Sequence, residues 1–176
     1  SMFTEDGYLR TGDVGFLDED GYLVITDRKK DIIVTAGGKN VAPQPIENRI
    51  KSHRFVDQVV MVGDRRRFTS LLVVPAFEPL NRWARDQGLP HGDLPTLLAQ
   101  PEVQHLMERV VMGHLGPLAR YERPKKFALL PREFTVEDGT LTPTQKVKRR
   151  VVQERFQHLI DQMYLEENED RTVFVA

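Results

Sequence analysis

Three short stretches contain the side chains that could do chemistry in this sequence. Asp13 follows Gly12 and could present its carboxylate as a hydrogen-bond acceptor, although a turn aspartate that bonds its own backbone is commoner. Residues 26–40 combine a run of charges, a short apolar run and a Gly-Gly pair. Lys146 follows a turn rich in Thr and Pro, a setting that suits a mobile, exposed ammonium group.

The charged run at residues 27–31 separates two apolar runs of β type, at residues 22–25 and 32–34. Consecutive charges do not fit the middle of a buried strand, because each would need a partner or water. We therefore expect the chain to reach the surface here, where a hinge could lie. An ordinary polar loop is the alternative interpretation.

Gly37 and Gly38 allow a positive φ or the close approach of a ligand. The segment is not a phosphate-binding P-loop, which needs Gly-x-x-x-x-Gly-Lys-Ser/Thr, and a lone Gly-Gly pair is more often a turn. Arg65, Arg66 and Arg67 could bind phosphate groups, but a solvated hairpin tip is the commoner role of such a run. The Lys125-Lys126 pair has the same two interpretations.

Apolar periodicity predicts an α+β fold around these residues. Acidic residues that end in Gly21, between two β-rich runs, predict an N-terminal hairpin. Apolar runs predict a three-stranded sheet, whose first strand is expected to be a covered central one, at residues 59–62, 71–74 and 127–130. Helical periodicity predicts flanking helices, the last of them from residue 148 to 163. Residues 166–170 are expected to form a frayed acidic tail.

Composition excludes several classes of function. The chain has 176 residues, of which 40% are apolar and 29% charged, as in a globular protein, and its net charge of -1 gives no global attraction to nucleic acid. The absence of cysteine excludes disulfides, thiolate nucleophiles and Cys-based metal sites, and no metal site is predicted. No apolar run approaches the roughly 18 residues that a membrane span requires. Ser1 and Met2 are typical of a tag remnant, and the pattern enters abruptly at Phe3, so we expect a fragment.

Three motifs in a fixed order support a family resemblance. They are Gly7-Tyr8-Leu9-Arg10-Thr11-Gly12-Asp13, then residues 27–31 with Ala36-Gly37-Gly38-Lys39-Asn40, and finally Leu141-Thr142-Pro143-Thr144-Gln145-Lys146. The chain resembles the C-terminal part of the adenylate-forming superfamily, which includes acyl-CoA synthetases, nonribosomal-peptide adenylation domains and luciferases. Within it, the second and third motifs look most like those of long-chain fatty acid–CoA ligases. Many relatives have Gly at the position of Gln145, and this departure removes some flexibility beside Lys146.

The resemblance covers nearly the whole chain and implies a domain organisation. Residues 1–27 would be the end of the large N-terminal domain, after the tag remnant, residues 28–31 the hinge, and residues 32–176 the C-terminal lid domain. The implied reaction has two steps. A fatty carboxylate attacks the α-phosphate of ATP, with Mg²⁺, to give acyl-adenylate and pyrophosphate, and the thiol of coenzyme A then displaces AMP to form the thioester.

The resemblance also implies roles for single residues. Asp13 would accept hydrogen bonds from the ribose hydroxyls, with assistance from Arg28. Lys146 would neutralise charge at the α-phosphate during adenylation, since lysine is a mobile point charge. Lys30 would be the hinge about which the lid rotates between the two steps.

Gly37 and Gly38 would line the tunnel for the pantetheine arm of coenzyme A. The phosphate loop for ATP and the acyl pocket belong to the N-terminal domain in this family, so the chain alone is expected to be inactive. The enzyme would be cytoplasmic, with peripheral membrane association as an option. Two alternatives stay open: an adenylate-forming ligase for a medium-chain, aryl or amino acid, and a stand-alone binding module without catalysis.

Overall fold

The structure, a computed structural model, describes residues 2–165 and 171–176. The chain begins with an antiparallel hairpin of β1 (Asp13–Leu17) and β2 (Leu23–Arg28), joined by a turn that ends at Gly21. The side chain of Asp18 accepts hydrogen bonds from two backbone amides in this turn, at 2.8 and 3.1 Å. The predicted hairpin is therefore present, and its acidic turn is held by its own first residue.

A second, very short hairpin follows the charged run. It consists of β3 (Ile33–Val34) and β4 (Asn40–Val41), and it leads into helix α1 (Pro43–Lys51). Pro43 and Pro45 lie in the first turn of α1, where a missing amide hydrogen costs nothing. Ile46 and Ile50 point from this helix into the core, as their spacing predicts.

The central sheet has four strands in the order β5-β6-β7-β8. They are β5 (Val56–Val62), β6 (Ser70–Pro75), β7 (Lys126–Leu129) and β8 (Val173–Val175), with β5 antiparallel to β6 and the other pairs parallel. The three predicted strands are confirmed, but β8 adds a fourth that the apolar pattern did not indicate. The expectation of a central position for residues 59–62 is wrong, because β5 forms an edge of the sheet.

Helices cover both faces of the sheet, which explains the uninterrupted apolar strands. On one face pack α1, α2 (Phe77–Asp86), α3 (Leu94–Leu98) and α4 (Pro101–Gly113). On the other pack α5 (Arg149–Arg155) and α6 (Gln157–Tyr164), together with the buried side chains of Phe134 and Leu141. The mixed α+β class is thereby confirmed.

The predicted last helix is two helices rather than one. The backbone leaves the α-helical region at Phe156, whose φ and ψ are -103° and 18°, and the chain resumes as α6 at Gln157. The Phe156 ring packs edge-on against Phe134, with the ring centroids 6.1 Å apart. The apolar periodicity continues through the break, and for this reason the pattern does not reveal it. The predicted frayed tail at residues 166–170 lies outside the described residues.

Candidate functional site

The two predicted nucleotide-binding residues lie opposite each other at the open end of the first hairpin. Asp13 is the first residue of β1 and Arg28 the last of β2, and the strand register pairs them. The guanidinium Nε of Arg28 donates a hydrogen bond to Oδ1 of Asp13 at 3.1 Å. Both side chains are accessible to solvent, and within the described part of the chain Oδ2 of Asp13 accepts no hydrogen bond. The pair thus presents one free carboxylate oxygen beside a fixed cation.

The charged run forms a turn at the surface, between β2 and β3. Lys30 is exposed there, and the amide of Asp31 donates to the carbonyl of Arg28 at 2.9 Å. Asp27 differs from its neighbours because only 2% of its surface is exposed. The chain does surface at residues 28–30, as expected, but the charged run begins with a buried carboxylate.

Gly37 and Gly38 occupy the exposed turn between β3 and β4. The amide of Gly38 donates to the carbonyl of Thr35 at 2.8 Å, and Thr35 and Lys39 close the turn with a 3.0 Å backbone hydrogen bond. Only Gly38 has a positive φ, of 71°, which a residue with a Cβ rarely adopts. A Cβ added at either glycine would meet no atom within 4 Å, so both positions border open space.

Lys146 lies at the end of a tight turn whose backbone is held by several hydrogen bonds. The amide of Thr142 donates to the carbonyl of Lys146 at 2.8 Å, and the amide of Lys146 donates to Oγ1 of Thr142 at 3.0 Å. Below the turn, the amide of Lys148 donates to the carbonyl of Thr140 at 2.8 Å. The Lys146 side chain is exposed, and its ammonium has no hydrogen-bond or ion-pair partner among residues 2–165 and 171–176. A fixed backbone therefore presents a free cation.

Gln145 adopts a left-handed backbone conformation, with a φ of 59°. Glycine favours this region and glutamine does not, since the Cβ comes close to the backbone oxygen. The geometry gives a physical reason for the glycine that many relatives of the resembled family have at this position. In this chain the turn keeps its shape in spite of the side chain.

Asp138 anchors the base of the Lys146 turn. Its Oδ1 accepts hydrogen bonds from the amide of Thr140 at 2.9 Å and the amide of Thr135 at 3.3 Å, and its Oδ2 pairs with the guanidinium of Arg155. Desolvation raises the pKa of this carboxyl, but the hydrogen bonds from Thr140 and Thr135 and the charge of Arg155 outweigh it. The pKa of Asp138 consequently falls to about 2.

A second anchor, which sequence reasoning missed, joins α5 to α1. Arg149 donates from Nη1 and Nη2 to the two carboxylate oxygens of Glu47, each at 2.6 Å. Burial disfavours the charged guanidinium, but the hydrogen bonds to Glu47 and the negative charges of Glu47, Asp31 and Asp27 raise the pKa of Arg149 above its ordinary value. The only indication of this ion pair in the sequence was the position of Glu47, which lies between the inward-facing Ile46 and Ile50 of α1.

The basic residues with two interpretations separate in the structure. Arg65 is exposed, Arg66 pairs with Asp161, and Arg67 donates to the carbonyl of Tyr164 at 3.1 Å. Arg67, Lys125, Lys126 and Arg171 line a cavity of about 420 Å³ together with Phe68 and Thr172. The three consecutive arginines therefore have different surroundings and do not form a single phosphate-binding cluster.

The predicted site residues form one contact pair and three separate positions. Asp13 and Arg28 touch, whereas Lys30, the Gly37-Gly38 turn and Lys146 lie in three different turns. In the described residues, no group of three or more His, Asp or Glu side chains could hold a metal ion. No helix in the same residues is long and apolar enough to cross a bilayer. The roles assigned to single residues stay predictions.

Known proteins similar to this chain agree with the resemblance. Residues 30–89 match the family described as "AMP-binding enzyme C-terminal domain". Among solved structures, the adenylation–carrier didomain of a carboxylic acid reductase from Segniliparus rugosus, in complex with AMP, has a TM-score of 0.71 at 25% identity, covering 96% of this chain and 22% of that one. The chain therefore belongs to the family of AMP-binding enzyme C-terminal domains and has the fold of that domain.

Curated proteins similar to this chain include long-chain fatty acid–CoA ligases. It is 41% identical, over 169 residues, to the long-chain-fatty-acid–CoA ligase FadD15 of Mycobacterium tuberculosis, covering 92% of this chain and 27% of that protein. It is 39% identical to the peroxisomal long chain acyl-CoA synthetase 6 of Arabidopsis thaliana, covering 94% of this chain and 24% of that protein. The chain thus spans about a quarter of the length of these relatives.

Proposed function

We propose that this chain is the C-terminal part of an ATP-dependent long-chain fatty acid–CoA ligase and acts in both of its half-reactions. Its similarity to long-chain ligases over 92% of its length supports this assignment. The observation that best supports a catalytic role is the free ammonium of Lys146 on a backbone held by hydrogen bonds. A rigid element that carries an unpaired cation can stabilise charge that develops in a transition state.

In this proposal, Lys146 approaches the α-phosphate while the fatty carboxylate attacks it. The ammonium offsets the negative charge that builds up on the phosphoryl oxygens. The pair of Asp13 and Arg28 binds the ribose: the free Oδ2 of Asp13 accepts hydrogen bonds from the hydroxyls, and Arg28 holds the carboxylate in place. The chemistry of the two groups supports these different roles, since the carboxylate of Asp13 can accept hydrogen bonds from hydroxyl groups and the ammonium of Lys146 can bind phosphoryl oxygens.

The proposed domain organisation has residues 1–27 in the large domain, residues 28–31 as the hinge and residues 32–176 in the lid. The first hairpin exposes large apolar side chains, namely Phe16, Leu17, Tyr22, Leu23 and Ile25. An exposed apolar group of this size is typical of a surface that packs against another part of a protein. Lys30 lies in the exposed turn directly after this hairpin.

The second half-reaction would use the turn of Gly37 and Gly38. Its exposed backbone leaves space for the narrow pantetheine arm of coenzyme A. ATP, coenzyme A and a fatty acid are the proposed substrates, and Mg²⁺ would enter with ATP. The full-length enzyme would be cytoplasmic, with peripheral membrane association as an option, and fractionation of the cells that express it distinguishes the two locations.

The decisive experiment replaces Lys146 by Ala in the full-length enzyme. We expect ATP–pyrophosphate exchange to fall by roughly 100-fold or more, whereas the conversion of supplied acyl-adenylate to acyl-CoA continues. Lys148→Ala is the matched control, because Lys148 is also exposed and lies two residues further on. Exchange at the unmutated rate in Lys146→Ala would show that the role of Lys146 is wrong. A panel of carboxylic acids, read by pyrophosphate release, then distinguishes long-chain from medium-chain, aryl or amino acid substrates.

A further inference from the structure

The ion pair between Arg149 and Glu47 covers the free edge of the central sheet at Met61. Glu47 Oε1 accepts a hydrogen bond from the amide of Met61 in the edge strand β5 at 2.6 Å, and it also accepts from Arg149. Arg149 Nη1 in turn lies 3.5 Å from the carbonyl of Met61. The two side chains thus pair with the backbone groups that a neighbouring strand would otherwise bind.

This pair is geometrically specific. The side chains of Arg149 and Glu47 are only 20% and 12% exposed, and two parallel N–H···O bonds join them. A bidentate arrangement defines both the distance and the orientation of the guanidinium, whereas a lysine at the same position would provide a point charge without a preferred plane. Apolar residues of similar size can stabilise a fold equally well, so the burial of this pair is not by itself evidence of a large contribution to stability.

The pair connects two segments to which the proposed function assigns chemistry. Arg149 is the first residue of α5 and lies three positions after Lys146. Glu47 lies on α1, which begins directly after the short hairpin that contains Gly37 and Gly38. The Lys146 turn is therefore attached at its C-terminal end to the element that follows the glycine turn.

We propose that Arg149 is a positioning residue for adenylation: through its bidentate pair with Glu47, it determines where the Lys146 turn stands. This inference rests on the proposed function, because it requires that Lys146 acts at the α-phosphate. Both Nη atoms of Arg149 donate to Glu47, so in this proposal Arg149 acts through Lys146 and not on the substrate itself. A displacement of about 1 Å in a reacting group can reduce a rate by about 100-fold, so loss of the second hydrogen bond has a measurable effect.

The test compares Arg149→Lys in two versions of the full-length enzyme, one with Lys146 and one with Lys146→Ala. With Lys146 present, Arg149→Lys is expected to lower kcat for ATP–pyrophosphate exchange at least roughly tenfold and to leave the KM for ATP unchanged. With Lys146→Ala, the same substitution has no further effect, since the group that it positions is already absent. Conversion of supplied acyl-adenylate to acyl-CoA stays at the unmutated rate in Arg149→Lys and shows that the lid is folded.

Arg150→Lys is the matched control, because Arg150 is the next residue, is 89% exposed and pairs only with Glu154 on its own helix, within the described residues. It is expected to change neither half-reaction. Glu47→Gln provides a second route to the same result, since it keeps an oxygen for the Met61 amide but weakens the pair with Arg149.

Three outcomes would overturn the inference. If Arg149→Lys lowers the exchange rate by the same factor in the enzyme with Lys146 and in the enzyme with Lys146→Ala, the role of Arg149 is purely structural. If Arg149→Lys leaves kcat for exchange unchanged, Arg149 has no role in adenylation. If Lys146→Ala by itself leaves exchange intact, the proposed function fails and the inference fails with it. In the second of these outcomes, if Lys146→Ala still abolishes exchange, the proposed function stands and only the inference fails.

Discussion

Asp27, at the end of the first hairpin, caps the helix that follows the charged turn. Its Oδ2 accepts a hydrogen bond from the amide of Gln44 at 3.2 Å, and its Oδ1 accepts from the amide of Arg28 at 2.7 Å. Gln44 lies in the first turn of α1, whose own N-cap residue, Ala42, has no side-chain acceptor. A carboxylate before the proposed hinge thus binds the lid after it.

This contact predicts a loss of stability in Asp27→Ala. We expect the free energy of unfolding to fall by about 1–2 kcal/mol, because two backbone amides lose their acceptor at a helix N-terminus. Asp27→Asn, which keeps one acceptor oxygen, should lose less. Urea denaturation of the chain measures both, with Asp20→Ala in the exposed hairpin turn as the control. A stability equal to that of the unmutated chain would contradict the cap.

A backbone restriction at Lys30 should separate the two half-reactions. Lys30→Pro fixes φ in the turn between β2 and β3, so a lid that must rotate there reaches its second position less often. Thioester formation from supplied acyl-adenylate by the full-length enzyme should therefore fall more than ATP–pyrophosphate exchange. Lys30→Ala removes the charge without restricting the backbone and serves as the control. Equal loss of both half-reactions would remove Lys30 from the hinge.

The adjacent glycines should respond differently to alanine. Gly38→Ala is expected to cost about 1 kcal/mol of unfolding free energy, because its φ of 71° is unfavourable for a residue with a Cβ. Gly37→Ala should leave stability unchanged, since its φ is negative and the new Cβ would meet open space. Denaturant unfolding tests this difference directly.

Gly37→Ala is therefore a better test of coenzyme A binding than Gly38→Ala, because it should not change the stability of the lid. If the proposed tunnel is correct, this stable variant shows a higher KM for coenzyme A in the full-length enzyme, because the added methyl narrows the path of the pantetheine arm. Its pyrophosphate exchange should not change. A KM for coenzyme A equal to that of the unmutated enzyme would exclude Gly37 from the tunnel.

Asp138 predicts a specific dependence of stability on pH. Its pKa is about 2 in the folded chain, below the ordinary value of 3.8, so the unfolded chain binds the proton more readily between these two values. The stabilisation is complete above about pH 4 and is lost as the pH falls through about 2. Asp138→Asn should therefore lower stability near neutral pH, and this difference should shrink on acidification. Thermal unfolding from pH 2 to pH 7 measures it, with Glu137→Gln, at the exposed preceding residue, as the control.

Local patterns determined most of the secondary structure. The acidic turn before Gly21 predicted the first hairpin, Pro43 and Pro45 marked the start of α1, and apolar runs located three strands of the sheet. These signals are local: turn residues, missing amide hydrogens and side-chain periodicity act within a few residues along the chain. The three motifs likewise identified the family that the comparisons show.

Only the tertiary structure decided which segments meet. The strand β8 has only three residues, and its parallel pairing with β7 is what defines it as a strand. The strand β5 lies at the edge of the sheet, although its sequence is as apolar as that of a central strand. Arg149 and Glu47 are 102 residues apart in the sequence, and the residues around each of them do not indicate that the two side chains pair. Apolar periodicity reports that a residue is buried, whereas the partner of a buried charge depends on how separate elements pack. For this chain, the sequence was enough to single out Lys146 as a candidate catalytic residue. It was not enough to predict the ion pair that attaches the Lys146 turn to the rest of the lid.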